Sequence, residues 1–144
     1  MKPTNMLTFF ALLVISCNNS SDRSNTLAYK TYKAYNNGDT ATAIIYHSKE
    51  MFKGTLEIQY KGTYKDSGNV KGVVKGDTLI GEFHFLAYKL AWHRKPVAFL
   101  MKKNRMVMGQ GLTKLTVGIP HFYPGVPVDF NEKERFVFFP IEPR

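Results

Sequence analysis

Few side chains in this 144-residue chain are spaced for chemistry, and the first test is whether any of them converge. Cysteine occurs once, at Cys17, so no internal disulfide can form. The histidines are His47, His84, His93 and His121, and no two stand two or four residues apart. Zinc and copper sites need three or four converging ligands, so the spacing implies no metal, and nothing else in the chain implies a cofactor. No Gly-x-Ser-x-Gly elbow presents a serine nucleophile. The carboxylates are scattered. Asp39 and Asp77 each precede a threonine at an expected strand start, where an Asx turn explains them better than acid–base work. The residue types point away from catalysis, and the chain reads as non-enzymatic.

What Cys17 can do depends on the residues before it. Lys2 supplies one positive charge, and Met6 to Ile15 (MLTFFALLVI) carries none. A basic start, a short apolar stretch and a small residue before a cut are the parts of a secretory signal. Ten residues rise only about 15 Å as a helix, half of a bilayer core, so the stretch is too short to span. Val14-Ile15-Ser16-Cys17 resembles the lipobox of bacterial lipoproteins. The resemblance implies a diacylglycerol on the Cys17 thiol, cleavage before Cys17 and acylation of the new amine. Each buried methylene contributes roughly 0.8 kcal/mol, and two or more chains anchor stably. Asn18 rather than Asp follows the cysteine, which in Gram-negative lipoproteins implies the outer membrane. The expected organisation is a signal peptide over 1–16, a lipidated cysteine with a Ser/Asn-rich flexible tether over 17–26, and one domain over 27–144.

Hydrophobic residues at 44% and charged residues at 22% are globular values and exclude a disordered chain. The net charge of +9 calls for an acidic neighbour. Nucleic acid is the usual one, but an envelope address keeps it out of reach, and no strand carries a paired-aromatic RNA-binding pattern. The bilayer held through Cys17 is the expected partner, with anionic lipid or polysaccharide as neighbours for the lysines.

The elements that must position these side chains are strands. Leu56, Ile58 and Tyr60 alternate with Glu57 and Gln59; Leu79, Gly81, Phe83 and Phe85 alternate with Ile80, Glu82 and His84. Period-two runs suit half-buried strands, and no long stretch offers a capped helical stripe. Asn37-Gly38 is the strongest two-residue hairpin signal. Further turns are expected at 65–69, 75–77 and 102–105. The pattern predicts eight strands, at 27–35, 40–47, 52–60, 69–75, 78–86, 95–101, 106–112 and 134–141. Joined by short links they make an antiparallel all-β meander, which hides its edges best as a small closed up-and-down barrel, lipocalin-like in shape. The segment 113–133, with Pro120, Pro124, Gly125 and Pro127, reads as a long ordered loop across one mouth. Lys-Gly recurs at 53–54, 61–62, 71–72 and 75–76. Without a following helix it is no phosphate loop, and it predicts glycine at bends with lysine facing water.

Three segments together resemble a family of small, uncharacterised Gram-negative envelope lipoproteins: Asn37-Gly38-Asp39-Thr40, the run from Gly68 to Phe83 containing Gly76-Asp77-Thr78-Leu79, and Arg94-Lys95-Pro96-Val97-Ala98-Phe99-Leu100 with the lysines after it. The resemblance implies an envelope lipoprotein with a β fold and no particular activity. This chain departs from it in the apolar, basic stretch from Leu86 to His93, where the family pattern is acidic.

Aromatic residues, 14% of the chain, are expected to fill the barrel. If room remains for a ligand, the pocket mouth would draw on Trp92, His93, Phe122 and Tyr123 from the two least regular segments. Three functions fit: a non-enzymatic binding or structural module of the envelope, a lipocalin-like carrier of a small apolar ligand, or an inhibitor of a cell-wall hydrolase. The positive charge works against the last, since such inhibitors tend to meet basic enzymes.

Overall fold

The computed structural model describes residues 28–87 and 91–142; the expected signal peptide, Cys17 and tether lie outside the described residues. Ten strands follow one another: β1 (Lys30–Asn36), β2 (Asp39–His47), β3 (Met51–Gln59), β4 (Lys65–Lys75), β5 (Thr78–Ala87), β6 (Ala91–Lys102), β7 (Arg105–Met108), β8 (Thr113–Thr116), β9 (Ile119–Phe122) and β10 (Val137–Ile141). Eight of them close a barrel in the order β1-β10-β7-β6-β5-β4-β3-β2, every pairing antiparallel. There is no helix among the described residues. The all-β up-and-down barrel expected from the alternation is the observed fold.

The meander gives the barrel two unlike ends. Turns 47–51, 75–78 and 102–105 gather at one, the lower end, together with the start of β1 and the finish of β10. Turns 36–39 and 59–65 and the link leaving β7 form the upper end.

Alternation sends one face of each strand inward. Phe52, Phe99 and Phe138 meet edge to face, with ring centroids 6.4 and 5.9 Å apart, and all three are fully buried. Ile45, Leu56, Val70, Leu79 and Met106 complete the filling. Edge-to-face rings suit the quadrupole of the π system, and each pair contributes roughly 0.5–1.5 kcal/mol beyond the area it buries.

Glycines let so narrow a wall curve. A Cβ on Gly54 would lie 1.9 Å from the Ile44 carbonyl oxygen, and one on Gly68 would lie 2.1 Å from that of His84. Gly72 and Gly81 face each other across β4 and β5, each tight against the other's Cα. Lys-Gly thus has two uses. At 54 and 72 the glycine is an inward bend, and at 62 and 76 it takes the positive φ of a turn, +107° and +59°.

Three expectations are corrected. Residues 65–69 are not a turn but the first part of β4; the turn lies at 60–64, closed by the Tyr60 N–H donating to the Tyr64 carbonyl. The strand expected at 106–112 ends at Met108, and the one at 134–141 begins at Val137. The segment 113–133 is more than an ordered loop across one mouth. It holds the β8–β9 hairpin and then a strap along the outer wall. Ala98 and Val107 point away from the core cluster yet are fully buried. On the same outer face, a Cβ at Gly109 would meet Val128 and Phe130. Glu132 fastens the strap by accepting from Arg105 and Lys102, and these two cations hold its carboxyl below the usual range.

The β8–β9 turn carries Val117 at φ +50° and Gly118 at +77°. A β-branched residue in the left-handed region is strained, and Val117 is 96% exposed, so no packing offsets the strain. Val117→Asn should raise stability by about 1 kcal/mol, read as an increase in the thermal midpoint. A lower midpoint would mean that the valine has a role in packing.

Candidate functional site

The filling stops short of the upper end. A cavity of about 420 Å³ opens there, lined by Ile58, Tyr60, Lys95, Met108, Phe122 and Phe136 among others. The register explains who meets whom. Ile58 on β3 stands opposite Asp66 on β4, and Phe83 and Phe85 on β5 stand opposite Lys95 and His93 on β6. Each of these side chains belongs to the inward set of its strand.

Asp66 is the only buried charged residue among the described ones, at 5% exposure. Its Oδ2 accepts a hydrogen bond from the Tyr60 hydroxyl at 2.9 Å and has the Lys95 ammonium 3.7 Å away. Its Oδ1 is buried and has no hydrogen-bond partner among the described residues. A buried carboxylate oxygen left unpaired is costly, and native structures rarely leave one without a purpose. Lys95 lies over the stacked rings of Phe83 and Phe85, 5.3 and 4.8 Å from their centroids. Burial lowers its ammonium pKa, and the Asp66 charge works the other way. Burial and the bond to Asp66 push the Tyr60 hydroxyl well above its usual range, so it stays protonated as a donor.

This trio can hold a ligand but is poorly arranged to attack one. Tyr60 donates a hydrogen bond to a carboxylate and resists ionisation, so it is neither base nor nucleophile near neutral pH. Asp66→Asn removes the charge that supports the Lys95 ammonium, and the lysine pKa should fall further. Competitive acetylation near pH 8 should then label Lys95 several-fold faster than in the wild type. An unchanged rate would show that the pair is not coupled.

Of the four residues expected at a pocket mouth, Phe122 lines the cavity. His93 stacks on Phe85, with centroids 5.8 Å apart, at the exposed rim of the inward face. Trp92 faces outward, against His84 at 4.8 Å, and Tyr123 lies under Lys114 beside the hairpin, so neither joins the mouth. One-residue alternation explains Trp92: its neighbours on either side along the strand face inward. Sequence reasoning missed Tyr60, Asp66 and Lys95. The signal is present, because Asp66, Gly68, Val70, Gly72 and Val74 continue one period-two face, but the polar composition of 65–69 reads as a turn. No group of three or more His, Cys, Asp or Glu side chains among the described residues could hold a metal.

No protein-family model matches the chain, and no curated protein or solved structure shows significant similarity to it.

Proposed function

We propose that this chain is an outer-membrane lipoprotein, anchored through Cys17, whose barrel is a non-enzymatic binding module. Its upper end takes a small, largely apolar molecule bearing a hydrogen-bond donor such as a hydroxyl or an amine. The observation that carries the reading is the Oδ1 of Asp66, without a hydrogen-bond partner among the described residues, on a carboxylate whose neighbours Tyr60 and Lys95 line a cavity of about 420 Å³. Cavities of roughly 300–1,000 Å³ with apolar walls and a few placed polar groups are the usual form of small-molecule sites. Ile58, Met108 and Phe136 suit the apolar body, and Asp66, Tyr60 and Lys95 suit the polar head. The lower end, where β1 begins, would face the anchor, leaving the mouth turned away from the bilayer.

N-phenyl-1-naphthylamine, an apolar amine whose emission rises on leaving water, is a direct probe. Wild-type protein should bind it saturably, and Asp66→Ala should weaken binding at least tenfold. Equal binding by both would remove the mouth from consideration. The anchor has its own test. Cys17→Ser should abolish incorporation of labelled fatty acid and release the protein from membranes, and unchanged fractionation would contradict it.

A further inference from the structure

We propose that the outer face of β2 to β6 binds an acidic polysaccharide. This wall carries a saddle of about 690 Å³ with the Gly54 bend in its floor, separate from the mouth cavity. The register lays two rows of outward side chains across it. One row runs Ile44, Thr55, Asn69, His84, Arg94, and the next runs Tyr46, Lys53, Lys71, Glu82. Four strand spacings make the first row about 19 Å long and three make the second about 14 Å, room for a short run of sugar rings.

The chemistry of the rows is that of an anionic sugar site. Lys53, Lys71 and Arg94 bring three positive charges against the single carboxylate of Glu82. That carboxylate lies 3.3 Å from Lys71 and 3.7 Å from Arg94, so it holds both cations in place across the floor. Lys53 has no carboxylate partner among the described residues and lies 6.0 Å from the Tyr46 ring centroid. Thr55 and Asn69 offer a hydroxyl and an amide to sugar hydroxyls. Aromatic rings stand at both edges: Tyr29 with Tyr46, centroids 5.8 Å apart, and Trp92 with His84. Such rings stack on the apolar faces of pyranoses. The lysines of two Lys-Gly pairs, unexplained by the mouth, are here placed by the glycines beside them. The saddle is on the side of the barrel, not on the lower end that would face a bilayer.

Trp92 is the only tryptophan in the chain, so its emission reports on the rim of the saddle. The full chain is titrated with an oligogalacturonate, dextran, inorganic phosphate and phosphatidylglycerol vesicles, with calorimetry on the same solutions. The oligogalacturonate should bind saturably and shift Trp92 emission, whereas dextran and phosphate at equal concentration should do neither. Lys53→Gln with Lys71→Gln should weaken binding at least tenfold without changing the thermal midpoint, and Lys61→Gln with Lys65→Gln should leave it within a factor of two. No saturable binding of the oligogalacturonate would overturn the proposal. So would equal binding of dextran or phosphate, binding to vesicles alone, or equal weakening by the Lys61 and Lys65 pair.

Discussion

Phe83→Ala is expected to lower the stability of the barrel by about 3–5 kcal/mol, the cost of emptying a large buried aromatic site. Phe83 is fully buried, stacks on Phe85 with centroids 4.5 Å apart, and lies beneath the Lys95 ammonium. A domain of this size has about 5–15 kcal/mol in total, so much of the variant should be unfolded near body temperature. Its neighbour gives the control. Glu82 points outward and forms its ion pairs with the exposed cations of Lys71 and Arg94. Surface ion pairs contribute about 0–1 kcal/mol, so Glu82→Ala should cost less than about 1 kcal/mol. Urea melts of the two variants decide the matter, and equal losses would mean that β5 is out of register by one residue.

Gly81→Ala should cost about 3 kcal/mol, at the upper end for overpacking, although it adds a single methyl group. The new Cβ would sit 1.9 Å from the Lys71 carbonyl oxygen and 2.7 Å from the Gly72 Cα, so β4 and β5 must part. Neither obstacle is the flexible end of a side chain. Gly76→Asn separates the effect of space from that of backbone angle. Gly76 has φ +59° with nothing within 4 Å of an added Cβ, and asparagine tolerates that region, so the cost should stay below about 1 kcal/mol. If the two variants melt alike, the bends do not depend on the absence of a side chain.

The barrel was legible because its signals are local. Period-two runs, Asn37-Gly38 with φ of +51° and +90°, and the two-residue links at 76–77 and 103–104 fix strands and turns from neighbouring residues alone. The site was less legible because it is made by register. Asp66 and Lys95 are far apart in sequence and on strands that do not pair with each other. They meet only because the barrel turns both inward at the same end. The hairpin at 113–122 was hidden for a different reason. Its turn has Val-Gly where Asn-Gly would announce it, and its first strand is exposed along its whole length, so no alternation marks it. The strap was hidden too, because Val128 and Phe130 pack on the outside of a wall whose outer face was expected to be wet.

Native mass spectrometry of the protein, isolated gently from the cells that make it, tests the central claim most directly. The wild type should carry a small molecule that leaves on mild activation, and Asp66→Ala prepared alongside should appear bare at the same activation energy. A wild type without any adduct, or an adduct retained equally by Asp66→Ala, would contradict a ligand held at the mouth by Asp66.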